Sequence, residues 1–167
     1  MNELYELESA LIGDSYAARP AQILEGLSSD QAHHIIPNTP RSIYAELWHI
    51  CYWQEISLDW INGTQTPYPP NMRLPFPTPE HVAAESWDQL RKRFHTCSAE
   101  AAAHARDLTS LDDPILCTPR PTEPLRSMTI RDQLISLAAH NAYHFGRIVL
   151  LRQLLGAWPP PSGGFTW

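Results

Sequence analysis

The chain has 167 residues, of which 43% are hydrophobic and 18% charged, which predicts one folded domain over residues 1–167 and excludes a disordered chain. A formal charge of −6 and a pI near 5.7 exclude nucleic acid and anionic membrane as partners, because phosphate binding needs a dense Lys/Arg patch. The nearest approach to one, Arg91-Lys92-Arg93, reads as a solvated helix face.

The first residues carry Glu3, Glu6 and Glu8 where a secretory leader needs Lys or Arg. Residues 2–27 are broken near Pro20 and predict two short helices or one kinked helix. Sixteen prolines punctuate the chain, and the stretches they spare, 41–66, 80–113 and 125–158, each accommodate a long helix. Residues 67–79 hold six prolines and residues 114–124 hold four, so both predict loops, longer than usual helix connections and placed to cap one end of the molecule. Thr78-Pro79-Glu80 starts the third helix, with Thr as N-cap and Pro at the first helical position. Thr129 caps the last, with Asp132 three residues on as the capping-box acid. There is no alternating strand pattern and no Asn-Gly hairpin signal, so the expected architecture is all-α, a bundle of four main helices. Arg147 and Arg152 interrupt the longest apolar stretches, which predicts no membrane span. Cys51, Cys97 and Cys117 form an odd, scattered set that predicts free thiols in a reducing cytoplasm.

The last helix poses a chemical problem. With Leu137 as zero and about 100° per residue, Ile130, Gln133, His140, His144, Ile148, Leu151 and Leu155 all fall within roughly ±60°. Two imidazoles therefore project, one turn apart, from the centre of an apolar stripe. Each has a donor and an acceptor to satisfy in the core, and a shared divalent cation satisfies both acceptors. A third ligand has to come from a facing helix. Residues 45–61 present two apolar faces, one with Leu47, Ile50 and Leu58, the other with Tyr52, Trp53, Ile56 and His49. The divalent-metal ligands expected are thus His49, His140 and His144. His33, His34, His81, His95 and His104 share no face at ligand spacing and read as surface or structural residues. Cys51 lies about 150–160° from His49 on the helix and reads as neither ligand nor nucleophile.

The segments SIYAELWHICYWQ and HNAYHFGRIVLLRQLLGAWPPPSGG, with helical sequence between them, resemble the DinB/YfiT-like superfamily of small four-helix metalloproteins. The resemblance runs over nearly the whole chain and is strongest over 42–62 and 128–163. It implies an up-down-down-up bundle, a divalent metal on His49, His140 and His144, and a homodimer, for which the two-faced second helix offers a contact. Characterised relatives include bacillithiol S-transferases and mycothiol-dependent maleylpyruvate isomerases, so the resemblance also implies a low-molecular-weight thiol as partner.

Three neutral imidazoles leave the ion with open positions, the arrangement of a catalytic site and not of a closed structural one. The ion, Zn, Ni or Fe, would hold a thiol as thiolate, activate water for hydrolysis, or polarise a carbonyl. Position 141 is Asn, which removes the HExxH glutamate base and favours thiol transfer over hydrolysis. A non-catalytic metal-binding or stress-response protein, stapled by its histidines, is the third reading. Gln133 is the preferred residue to orient a ligand from behind, ahead of Glu46 and Asp132. Tyr52, Trp53, Tyr143 and the proline loops are the expected walls of a substrate cavity. The tail after Trp158 is expected to pack back over the bundle or against a neighbouring subunit.

Overall fold

A computed structural model describes residues 3–13, 18–71, 75–118, 123–124 and 126–163. The described chain is mostly helical: α1 Glu3–Ile12, α2 Pro20–Leu24, α3 Ser29–His33, α4 Ile43–Ile61, α5 Pro79–Ala84, α6 Trp87–Arg106 and α7 Ile130–Leu154, with strands β1 Pro114–Cys117 and β2 Arg126–Thr129. The three proline-free stretches supply the long helices α4, α6 and α7, and residues 2–27 give two separate helices. Packing joins α4 to both α6 and α7, and α1 to the same pair.

Local chemistry sets the helix ends. Ser42 caps α4, its hydroxyl accepting from the Ala45 N–H, and Thr129 forms a reciprocal capping box with Asp132 at the start of α7. At the far end of α7, Gly156 takes φ +66° and lets the chain leave the helix in the left-handed region.

Two expectations need correction. Thr78-Pro79-Glu80 does start a helix, but only the short α5; Glu85 turns extended, and Ser86 caps α6 afresh with Gln89 completing its box. The region read wholly as loop contains β1, which pairs antiparallel with β2 in the register Pro114↔Thr129 to Cys117↔Arg126. Four-residue strands beside prolines are too short to show an alternating pattern, though β1 buries Ile115 and Cys117 and exposes Leu116. The turn leading into β1 also anchors α7, since the Ile130 N–H donates to Asp113 O at 3.1 Å and the Arg131 N–H to Leu111 O at 2.8 Å.

Helix α4 buries Leu47, Ile50 and Leu58 on one side and His49, Ile56 and Trp60 on the other, and leaves Ala45, Tyr52, Trp53 and Asp59 half-buried. The tail packs back as far as it is described. Ser162 N–H and hydroxyl both donate to Glu25, and Gly26 sits so close to Pro161 that a Cβ there would lie 2.7 Å from its ring. Residues 164–167 lie outside the described residues.

The apolar core falls into two clusters. One takes α7 up to Ala138 and packs it on Leu11, Ile56 and Leu111; the other takes α7 from Phe145 and packs it on Ile23, Leu47 and Leu90. His140, Asn141 and His144 occupy the seam between them. Polar groups in the middle of a helical core are unfavourable unless something satisfies them. No described helix is long and apolar enough to cross a membrane.

Candidate metal centre

The periodicity that put His140 and His144 on one stripe of α7, and His49 on the inner face of α4, brings the three together. His49 and His144 are buried and His140 is half-buried. One nitrogen from each lies within 4.8 Å of the other two. The Nε2 atoms of His49 and His140 are 3.2 Å apart. Two imidazoles on one ion at about 2.0–2.1 Å, subtending roughly 90–109°, hold their nitrogens about 2.9–3.4 Å apart, so this pair fits a shared cation.

The groups behind the rings fix which nitrogen faces inward. His49 Nδ1 donates to the Pro75 carbonyl at 2.7 Å, and His144 Nδ1 donates to Glu46 Oε2 at 2.7 Å. With the proton held at Nδ1, each Nε2 carries its lone pair toward the cluster. His140 Nε2 faces the His49 lone pair at 3.2 Å, close enough either to donate a hydrogen bond to it or, with its proton on Nδ1, to share a cation with it. The donor set fits a borderline transition metal, and a carboxylate behind a ligand histidine is the usual arrangement at such centres.

Glu46 is fully buried on α4, one turn before His49. Burial opposes its charge, but hydrogen bonds from His144 and Arg147 outweigh that and hold the carboxyl below its usual range. Arg147 donates to Glu46 Oε1 from Nε at 3.0 Å and Nη2 at 2.8 Å. Phe76 stacks on His49 with ring centroids 4.2 Å apart, and Arg41 lies over the other side of Phe76 at 3.5 Å. The ring of His49 is thus fixed by packing as well as by Pro75.

Burial pushes His49 down to about 4 against its bond to Pro75, with His144 and His140 adding to the fall. His140 also falls to about 4, by burial first and the neighbouring His144 second. Both are therefore neutral, and ready to bind metal, at pH 7. An unfolded histidine takes up its proton near pH 6.5, so between about 6.5 and 4 the unfolded chain binds more protons than the folded one. Stability of the metal-free protein is therefore complete above that window and declines as pH falls through it. Calorimetric melts from pH 7 to pH 4 should show a falling midpoint, less steep in a variant with His49 and His140 both replaced by glutamine.

A cavity of about 390 Å³ opens beside the three histidines. Trp53 and Tyr143 line it as expected, together with Trp60, Tyr68, Gln133 and Arg126. Tyr52 does not; it stacks on Trp48 at 5.4 Å. Cys51 is buried in the core, where burial pushes its thiol up, in keeping with its exclusion as ligand or nucleophile. Gln133 faces the cavity but donates to Ser57 Oγ at 2.8 Å and reaches no histidine, and Asp132 serves the α7 cap. Glu46, ranked lower from sequence, is the residue that orients a ligand. Of the remaining histidines, His33 stacks on Tyr44 and His81 on Trp48, both structural uses. Arg93 is not a solvated residue: it is clamped by Glu85 and Glu55 at 2.7–3.1 Å.

The fold and site define a class, small helical proteins with three imidazoles able to hold a metal ion between two core helices. The chain matches the model of the DinB superfamily over residues 17–148 and belongs to that superfamily. No curated protein matches it.

Proposed function

We propose that the protein is a divalent-metal-dependent enzyme, its zinc, nickel or iron held by His49, His140 and His144, and that it catalyses thiol S-transfer or a related isomerisation. One observation carries this reading: nitrogens from three imidazoles, one from each, those of His49 and His144 aimed by acceptors behind the rings, meet on the wall of a cavity large enough for a small molecule. When bound, such an ion supplies a Lewis acid that ionises a low-molecular-weight thiol at neutral pH. The chain supplies the rest. Glu46 and the Pro75 carbonyl hold the rings, Trp53 and Trp60 exclude water from one side, and Ser57 and Gln133 offer hydrogen bonds to a polar substrate.

Hydrolysis needs a base to take a proton from water, and no carboxylate is among the described residues lining the cavity. A nucleophile that arrives ionised has no such need, which favours the thiol. A non-catalytic staple has no use for a cavity of this size beside the ion. The three unpaired, buried cysteines support a reducing, cytoplasmic setting. For a homodimer, the outer face of α7 offers Ile135, Tyr143, Leu150 and Leu154, all exposed.

The test is a panel of low-molecular-weight thiols against a generic electrophile with metal-reconstituted protein. Turnover with one thiol and none with the others is expected. No turnover with any thiol, together with ester or amide hydrolysis, would transfer the assignment to the hydrolase.

A further inference from the structure

The cavity beside the histidines has an uneven charge. The described residues that line it include no carboxylate, and burial raises the Cys117 thiol, which keeps it neutral at pH 7. Among these residues the one permanent charge is Arg126, the first residue of β2, paired across the hairpin with Cys117. Its guanidinium is exposed and pairs with no carboxylate among the described residues. The contact it makes, from Nη2, is to the Met128 sulfur at 3.3 Å, a weak acceptor for a charged donor. The other charged groups nearby are already committed. Glu46 is held by His144 and Arg147, and Arg147 by Glu46. Arg126 thus presents up to five donors at the wall of a cavity otherwise built from aromatic and small polar side chains.

A guanidinium fork matches a carboxylate through two parallel N–H···O bonds, and such charge-assisted pairs exceed neutral ones in strength. The walls complete the recognition. Trp53, Trp60 and Tyr68 form an apolar, aromatic surface, whereas Ser57 and Gln133 are uncharged and already hydrogen-bonded to each other. We propose that the cavity takes a carboxylate-bearing substrate, whose carboxylate Arg126 binds while its apolar body lies against Trp53, Trp60 and Tyr68. This deepens the proposed function and rests on it only for where the substrate's other end goes. The anion site itself is formed by the hairpin and needs no metal.

The experiment measures calorimetric affinity for cinnamate and for its neutral isostere cinnamamide at pH 8, in wild type and Arg126→Gln, each metal-free and zinc-loaded. Arg126 is exposed, so the variant folds, and its zinc stoichiometry and circular dichroism serve as checks. In metal-free wild type, cinnamate should bind at least about tenfold more tightly than the amide, and R126Q should bind both alike. Equal affinities in the metal-free wild type, or a preference that survives in R126Q, overturn the proposal. A preference confined to zinc-loaded protein and unaffected by R126Q places the carboxylate on the ion, which overturns the Arg126 site and spares the metal centre. An Arg126-dependent preference in a protein that takes up no zinc does the reverse: it upholds the anion site and removes the metal-dependent function.

Discussion

Alanine at His140 or at His144 is expected to abolish stoichiometric divalent metal and leave a folded helical protein. With two imidazoles the ion loses a third of its protein ligands, and the rest come from separate helices that have no other reason to hold a cation. Folding does not depend on these rings. Two apolar clusters, one around Leu111 and Leu134 and one around Leu47, Leu90 and Ile148, already join α4, α6 and α7 on either side of the site. Truncating a buried imidazole in that seam costs about 1–3 kcal/mol, well short of unfolding a typical domain. Elemental analysis after reconstitution and far-ultraviolet circular dichroism measure the two halves of the prediction. Wild-type metal content in both variants would remove the centre. Loss of nearly all helicity in the metal-free protein would make the histidines a staple.

Glu46→Gln is expected to weaken zinc binding by about 10–100-fold, the usual effect of removing the group behind a ligand histidine. The carboxylate accepts from His144 Nδ1 and from two nitrogens of Arg147, with no solvent access of its own. The amide keeps one acceptor oxygen but turns an NH₂ toward donors, so either His144 or Arg147 loses its partner. Stability falls as well, by about 1–3 kcal/mol, because a buried donor is left unsatisfied. Competition with a chromogenic chelator reads the affinity and a thermal melt reads the stability. A lower melting temperature with unchanged affinity would make Glu46 a packing residue with no hold on the metal.

The contrast between Glu46 and Gln133 shows what helical periodicity can and cannot deliver. Gln133 shares a stripe with His140, but seven residues put it about 10 Å away along the axis, beyond the reach of its side chain. It meets Ser57 instead. Glu46 shares a helix with His49, yet the ring it orients is His144, 98 residues away on α7. Spacing within a helix ranks neighbours on that helix and says nothing of who stands opposite. The same limit hid Arg126, whose place at the cavity depends on a hairpin of four-residue strands that carries no periodic signal of its own. The second face of α4 carries the site through His49 and buries Ile56 and Trp60 in this chain's own core.

From sequence alone came the helical class, the proline-marked breaks between long helices, the cap at Thr129, and the three histidines. All of these rest on forces acting within a few residues: ring constraints of proline, side-chain to backbone hydrogen bonds, and the 3.6-residue turn that gathers i and i+4 on one side. Tertiary structure decided the tautomers of His49 and His144, the clamp on Glu46, and the charge and shape of the cavity. Each of those depends on atoms distant in the chain, Pro75 on His49, Glu46 on His144, and the β1–β2 hairpin on Arg126, brought together by packing that no local pattern encodes.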